Sequence, residues 1–121
     1  MVSMELSIPK HLVDMKLFVC YTMRDGEITP VHLRMIERKL KSKGYVLFID
    51  YLNNDSENKQ CRVMQELKNS DKLLLLLSSK VMESEWTSLE LAYARLNNIQ
   101  VVPCRIVNNE LVEDKLCIEY L

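Results

Sequence analysis

The chain has 121 residues, of which 16 are Lys or Arg and 17 are Asp or Glu, and its formal net charge at pH 7 is −1. A chain of this length fits one domain that buries about two thirds of its unfolded surface, so neither a disulfide nor a metal is needed to hold it together. The near-neutral charge gives no reason to expect a nucleic acid or an anionic membrane as partner, and no apolar stretch approaches the length of a membrane span.

The pattern of apolar and polar residues predicts strands and helices in alternation. The first strand, residues 16–21, is followed by Thr29 and Pro30, which are typical of an N-cap and of the first turn of a helix. Apolar residues at helical spacing continue towards Gly44, which is expected to end this helix. The second strand, residues 45–50, is apolar on both faces, as is expected of a parallel strand that helices cover.

The middle of the chain continues the alternation. A polar loop is predicted at residues 52–57, and a second helix from about Ser56. The third strand covers residues 72–77, because its short apolar run is flanked by polar residues on both sides. A third helix is predicted from Ser84 to about Asn97.

The last predicted strand covers residues 99–104. It contains Pro103, which indicates that the strand ends there or lies near an edge of the sheet. After Asn108 and Asn109, a short fifth strand and a terminal helix are both compatible with the sequence.

The four strands begin at residues 16, 45, 72 and 99, so the strand–helix unit recurs every 27 to 29 residues. Such a repeat imposes right-handed crossovers and a parallel sheet. We therefore predict an α/β fold, a flavodoxin-like open parallel sheet of four to five strands with helices on both faces.

The cysteines and histidines do not form a metal-binding pattern. Only two histidines are present, and the four cysteines lack zinc or redox spacing: Cys20, Cys61, Cys104 and Cys117. Cys20 and Cys104 lie in apolar runs and are predicted to be core thiols. We expect no metal, and a cytoplasmic location, where thiols stay reduced.

The sequence does not fit two large classes of phosphate-binding α/β domain. With only Gly26 and Gly44, the chain cannot form a dinucleotide-binding fingerprint or a Walker loop. A phospho-acceptor receiver domain needs acidic residues at the ends of strands one and three, where this chain has residues 20–21 and 77–78, none of them acidic.

Four sequence blocks carry a more specific resemblance. They are a strand and loop at residues 18–25 (FVCYTMRD), a strand at 44–50 (GYVLFID), a Ser-Asp pair before a strand at 67–73 (LKNSDKL), and Ser-x-Trp-x-x-x-Glu within 78–90 (SSKVMESEWTSLE). In this order and spacing they resemble a Toll/interleukin-1 receptor (TIR) domain. The resemblance implies a single TIR-like domain over residues 15–121, preceded by an accessory N-terminal extension at residues 1–14.

The chain departs from the family pattern at three places. The loop at residues 52–57 lacks the usual glycine, Val81 stands where an aromatic residue is common, and Thr87 stands where cysteine is common. The missing glycine leaves open the conformation of this loop and its role in assembly.

Some TIR domains cleave NAD+ between ribose and nicotinamide, and Glu90 matches their glutamate. One carboxylate is sufficient for this cleavage, because nicotinamide is cationic in NAD+ and leaves as a neutral group without being protonated. Only the positive charge that develops on the sugar needs stabilisation. Glu90 has no basic residue three or four positions away, which favours the rim of a pocket. The alternative is an ordinary solvated residue of a helix.

The loops after strands one and three are expected to meet at the carboxyl edge of the sheet, where open parallel sheets bind ligands. The resemblance then implies substrate-binding roles for Tyr21, Thr22, Asp25, Ser84 and Trp86. Local roles compete with these: Thr22 and Asp25 can cap a loop, Ser84 can cap a helix, and Trp86 can anchor the core. Asp50, at the end of strand two, can cap the next loop or approach the site.

The resemblance therefore implies an NAD+ nucleosidase that hydrolyses NAD+ or cyclises it to a cyclic ADP-ribose in a signalling or defence response. NAD+ would be the substrate rather than a cofactor, and partners would be further TIR domains, including copies of this chain, or an effector. Glu90, Trp86 and the lack of an attached receptor favour such a stand-alone enzyme. The alternatives are a catalytically silent TIR interaction module and, with less support, an enzyme like a nucleoside deoxyribosyltransferase, which would exchange bases on deoxynucleosides.

Overall fold

The computed structural model of the protein describes residues 15–113. The predicted extension at residues 1–14 and the residues after Glu113 lie outside this range. The strands are β1 (Lys16–Cys20), β2 (Val46–Ile49), β3 (Lys72–Leu76), β4 (Gln100–Val107) and β5 (Glu110–Glu113). The helices are α1 (Pro30–Ser42), α2 (Asp50–Asn53), α3 (Lys59–Lys68) and α4 (Glu85–Leu96), with a 3₁₀ turn at Val81–Glu83.

The five strands form one sheet in the order β2-β1-β3-β4-β5. Strands β1 to β4 are parallel, and β5 pairs with β4 in the antiparallel direction. Leu17 and Val19 of β1 enter a core beneath α1 on one face, whereas Phe18 and Cys20 enter a second core beneath α3 and α4 on the other. The predicted α/β sheet with helices on both faces is confirmed.

The helices begin and end close to the predicted residues. Thr29 caps α1, with its hydroxyl oxygen accepting from the His32 N–H at 3.3 Å, and Pro30 is the first helical residue. Ser84 and Asn97 flank α4 as its caps. None of the helices within residues 15–113 combines the length and the apolar character needed to cross a membrane.

The segment after β2 differs from the predicted polar loop at residues 52–57. Residues Asp50–Asn53 form the short helix α2, and α3 begins at Lys59, three residues later than predicted, because Asn58 rather than Ser56 caps it. In the absence of a glycine, the side chain of Asn54 holds the turn. Its amide nitrogen donates to Asp50 Oδ1 at 2.7 Å and to the Lys59 carbonyl at 3.1 Å.

Strand β4 continues to Val107 and lies beside the edge strand β5, so of the two alternatives predicted from Pro103 the position near an edge is the one observed. The carbonyl of Cys104 accepts from the Leu77 N–H at 2.8 Å, which means that the polar backbone groups of Cys104 face β3. Those of Pro103 face the opposite side, where pairing with β5 begins only at Cys104. Because the missing N–H of Pro103 points away from the β3 ladder, the strand continues without losing a hydrogen bond there.

Among the described residues, the segment after Asn108 and Asn109 forms the short fifth strand; a terminal helix after Glu113 would lie outside them. These two residues have φ values of 50° and 61° and connect β4 to β5 as a two-residue hairpin. Two successive positive φ angles define a type I′ turn, in which asparagine is tolerated better than most residues. Because this turn reverses the chain, β5 is antiparallel and the sheet is not wholly parallel.

Candidate active site

A cleft of about 300 Å³ lies at the carboxyl edge of the sheet. It is formed by the loop after β1, the start of α2 and the first turns of α4. The connection after β1 passes over one face of the sheet and the connection after β3 over the other, and open sheets bind ligands at such a point. The polar and aromatic residues of its wall are Phe18, Tyr21, Thr22, Asp50, Tyr51, Ser84, Trp86 and Glu90.

A second groove, of about 320 Å³, lies at the other end of the sheet between α1 and β4. Its wall is mainly aliphatic, and its charged residues, such as Lys43 and Lys72, lie at the surface rather than buried. Size does not distinguish the two sites, whereas buried ionisable groups are characteristic of functional sites. The cleft that contains Glu90 is therefore the candidate active site.

Glu90 lies in the second turn of α4, and only 5% of its surface is exposed. Burial raises the pKa of its carboxyl group to about 7, and the charge of Asp50 acts in the same direction. Hydrogen bonds from Cys20 and Trp86 oppose this shift because they favour the ionised form. The residue thus does not lie on a solvated helix face.

Trp86 both anchors the core and lines the cleft. Its ring packs against the apolar core beneath α3 and α4, and it also forms part of the cleft wall. One helical turn separates it from Glu90, and its indole N–H lowers the pKa of the Glu90 carboxyl group. The two interpretations of this residue from sequence are therefore compatible with each other.

The hydroxyl groups of Tyr21 and Ser84 in the cleft accept backbone hydrogen bonds. Tyr21 Oη accepts from the Tyr51 N–H at 2.9 Å and joins the loop after β1 to α2. Burial raises the pKa of Tyr21 to about 12, so the phenol stays neutral. Ser84 Oγ accepts from the Thr87 N–H at 3.2 Å as the N-cap of α4. Each hydroxyl keeps its own hydrogen for donation to a ligand.

Thr22 and Asp25 occupy different positions relative to the cleft. Thr22 is buried and lines the cleft, while its hydroxyl oxygen accepts from the Arg24 N–H at 3.3 Å. Asp25 is not part of the cleft wall. Its carboxylate accepts from the backbone N–H of Lys80 at 2.9 Å and of Glu27 at 3.1 Å, which ties the loop after β1 to the loop after β3.

This position predicts a structural role for Asp25. Asp25→Ala is expected to lower the melting temperature, because two backbone N–H groups lose their acceptor, and to leave the Michaelis constant for NAD+ unchanged. Thermal unfolding and steady-state kinetics measure the two effects. Asp55→Ala is the control, since Asp55 makes only an exposed ion pair with Arg62. A raised Michaelis constant at an unchanged melting temperature would assign Asp25 to substrate binding instead.

Two residues near Glu90, Tyr51 and Cys20, are not among the residues predicted to approach the site, whereas Asp50 is. Asp50 and Tyr51 reach the cleft because α2 starts directly at the end of β2. Ligands bind beyond the carboxyl ends of parallel strands, and this applies to β2 as well as to β1 and β3, so Tyr51 could also have been predicted. Cys20, predicted as a core thiol, is buried, and its burial, aided by the charge of Glu90, raises its pKa well above the usual value. Among residues 15–113, no group of three or more His, Cys, Asp or Glu side chains could hold a metal ion.

Comparison with known proteins agrees with this fold and with the sequence motifs. The chain belongs to the TIR-domain family, since the family model described as TIR domain matches residues 17–120. Its structure is similar to that of the TIR domain of the Toll-related receptor TRR-2 from Hydra magnipapillata, with a TM-score of 0.61 and 16% sequence identity. The match covers 87% of this chain and 79% of the receptor domain. No curated protein sequence matches the chain.

Proposed function

We propose that the protein cleaves NAD+ between ribose and nicotinamide, with Glu90 as the catalytic residue. The observation that carries the proposal is a carboxylate only 5% exposed in the wall of a cleft at the carboxyl edge of the sheet. Away from bulk water, the charge of the ionised carboxylate acts more strongly on a cationic sugar than it would at the surface.

The residues around Glu90 fit the parts of such a substrate. Trp86 offers an aromatic face on which the flat nicotinamide ring can stack. Tyr21 and Ser84 each accept a backbone N–H, so their own hydrogens are available for ribose or phosphate oxygens. Asp50 adds a second acidic group to the cleft wall, which favours the positive charge that develops on the ribose as neutral nicotinamide leaves.

The direct test is to incubate the concentrated protein with NAD+ and to quantify nicotinamide by liquid chromatography. Separation of the second product distinguishes hydrolysis, which gives ADP-ribose, from cyclisation, which gives a cyclic ADP-ribose. The Glu90→Gln variant serves as the blank. Equal release of nicotinamide by the parent and by this variant would reject Glu90 as the catalytic residue.

A TIR interaction module without catalysis is the second candidate, and one surface feature favours it. Leu89 and Leu96 lie seven residues apart on α4 and are 57% and 83% exposed. Two exposed leucines on one helix face are typical of a contact surface. Leu89→Glu would reduce self-association measured by light scattering, whereas Val31→Glu, on the other face of the sheet, would not. No nicotinamide release by an associated sample would favour this candidate.

Self-association is also expected to affect catalysis. The cleft opens at the edge of the sheet, and Tyr51 at its rim is 54% exposed. We propose that a neighbouring copy covers the cleft with the segment at residues 52–57 and thereby removes water from around Glu90. The low net charge permits such contacts.

The expected result is that NAD+ turnover per molecule rises with protein concentration. The measurement is a dilution series of turnover over at least about three decades, with molecular mass followed in parallel; the range spans typical weak association constants. Constant and substantial turnover by a strictly monomeric sample would contradict the proposed covering of the cleft.

A further inference from the structure

The short helix α2, which carries two residues of the cleft wall, lacks a capping side chain of its own. Asp50 and Tyr51 are its first two residues, and its N-cap is Ile49, whose aliphatic side chain cannot accept a hydrogen bond. A helix of four residues has little intrinsic stability, and the N–H groups of its first turn have no partner within the helix. The position of this part of the cleft wall therefore depends on side chains from other segments.

Tyr21 supplies the missing cap from the loop after β1. Its phenol oxygen accepts from the Tyr51 N–H at 2.9 Å, across 30 residues of sequence. Tyr51 is the second residue of α2, and the N–H at this position is one that an N-cap side chain ordinarily satisfies. The ring of Tyr21 is half-buried against the core beneath α1, so packing holds the phenol oxygen in place.

Asn53 holds the other end of α2. Its Oδ1 accepts from the Ile49 N–H at 2.7 Å, and its Nδ2 donates to Glu37 Oε2 of α1 at 3.3 Å. Unlike Tyr21, Asn53 is not part of the cleft wall. The helix is thus tied at its first turn to the loop after β1 and at its last residue to α1.

We propose that Tyr21 is a positioning residue for α2: its phenol oxygen acts as the N-cap that α2 itself lacks and thereby keeps Asp50 and Tyr51 in the wall of the cleft. Without this bond the first turn of α2 is free to open, and the cleft loses its second acidic group and its exposed aromatic rim. The effect on catalysis rests on the proposed cleavage of NAD+. The capping itself concerns one hydrogen bond and can be measured without substrate.

The first measurement is amide hydrogen exchange, followed by NMR without substrate. Tyr21→Phe keeps the ring and its packing but removes the acceptor, so the Tyr51 N–H is expected to exchange about five- to tenfold faster than in the parent. Tyr45→Phe is the matched control, because Tyr45 is also half-buried against the core beneath α1 and its hydroxyl bonds to none of the described residues. Equal exchange at Tyr51 in the parent and in Tyr21→Phe would overturn the capping role.

The second measurement separates positioning from direct contact with the substrate. In Tyr21→Phe the Michaelis constant for NAD+ is expected to rise about five- to tenfold, but loss of a bond from the phenol to the substrate would give the same result. Asn53→Ala removes the other tie of α2 without altering the cleft wall, and we expect the Michaelis constant to rise in this variant as well. A raised constant in Tyr21→Phe with a parental constant in Asn53→Ala would show that the phenol acts on the substrate and not through α2.

The two measurements also separate the failure of this inference from the failure of the proposed function. Faster exchange of the Tyr51 N–H in Tyr21→Phe, in a protein that releases no nicotinamide, would retain the capping role and reject the proposed function. Nicotinamide release by a parent whose Tyr51 N–H exchanges as fast as that of Tyr21→Phe would retain the proposed function and reject the capping role.

Discussion

Glu90→Gln is expected to reduce NAD+ cleavage by at least about a hundredfold, because one well-placed electrostatic stabiliser is worth that much in rate. The same variant is expected to be more stable than the parent at pH 8. Glutamine keeps the shape of the side chain and removes a charge that the fold buries at a cost. Initial rates of nicotinamide release and chemical denaturation at pH 5 and pH 8 measure the two effects.

The pH dependence follows from the raised pKa of Glu90. In the folded chain this pKa is about 7, against an ordinary value of 4.5 in the unfolded chain. Below pH 4.5 the group is protonated in both states and costs nothing. As the pH rises towards 7, only the unfolded chain gives up the proton, so the stability of the parent falls. Above pH 7 the full cost is reached, about 3 kcal/mol.

The stability difference between Glu90→Gln and the parent should therefore be large at pH 8 and small at pH 5. Glu83→Gln is the matched control, because Glu83 lies just before α4 and is exposed. It should change neither the rate nor the pH dependence. A variant at position 90 that is as unstable at pH 8 as the parent would show that Glu90 is solvated and that the cleft does not bury its charge.

With Glu90 as the proposed catalytic residue, stability and activity place opposite demands on this side chain. A buried carboxylate beside Asp50 destabilises the folded chain near neutral pH, and an apolar residue would pack there at a lower cost. Active sites commonly contain such unfavourable charges, because the field that destabilises the protein also stabilises a charged transition state. The burial of Glu90 is more informative about function than its sequence spacing from Trp86.

The parts of the fold that were predicted depend on local signals. Ser84 caps α4 through a hydrogen bond to Thr87 three residues away, and Thr29 caps α1 in the same way. Such contacts involve neighbours in sequence and are readable from residue type and spacing. The repeated strand–helix unit is a local pattern as well, and it was sufficient to predict the parallel strands of the sheet.

The parts that were not predicted depend on contacts between distant segments. Whether Pro103 ends a strand depends on which neighbour its nitrogen faces, and this is set by the register between β3 and β4. The sequence leaves substrate binding and local loop capping open for Asp25, but it does not indicate that the backbone of Lys80, 55 residues later, is a partner of its carboxylate. The hydrogen bond of Tyr21 to the Tyr51 backbone likewise joins two separate segments, and sequence indicates only that Tyr21 lies at the end of a strand.

Trp86→Ala is expected to lower both stability and activity. Truncation of a fully buried aromatic side chain costs about 3–5 kcal/mol, and a smaller loss, about 2–3 kcal/mol, is expected here because the indole is partly exposed. The Michaelis constant should rise because the aromatic wall is lost, and kcat should fall because Glu90 loses a hydrogen-bond donor. Denaturation and steady-state kinetics of the folded fraction measure these effects.

Trp86→Phe separates the two roles of the indole. Phenylalanine keeps an aromatic wall and much of the core packing, but it has no N–H to donate to Glu90. Stability and the Michaelis constant should therefore remain closer to those of the parent than in Trp86→Ala. The acid limb of the pH profile should move to higher pH, because the ionised carboxylate has lost a donor. A Trp86→Phe variant with the parental pH profile would show that the indole N–H does not act on Glu90. Trp86 would then contribute to catalysis only as a wall of the cleft.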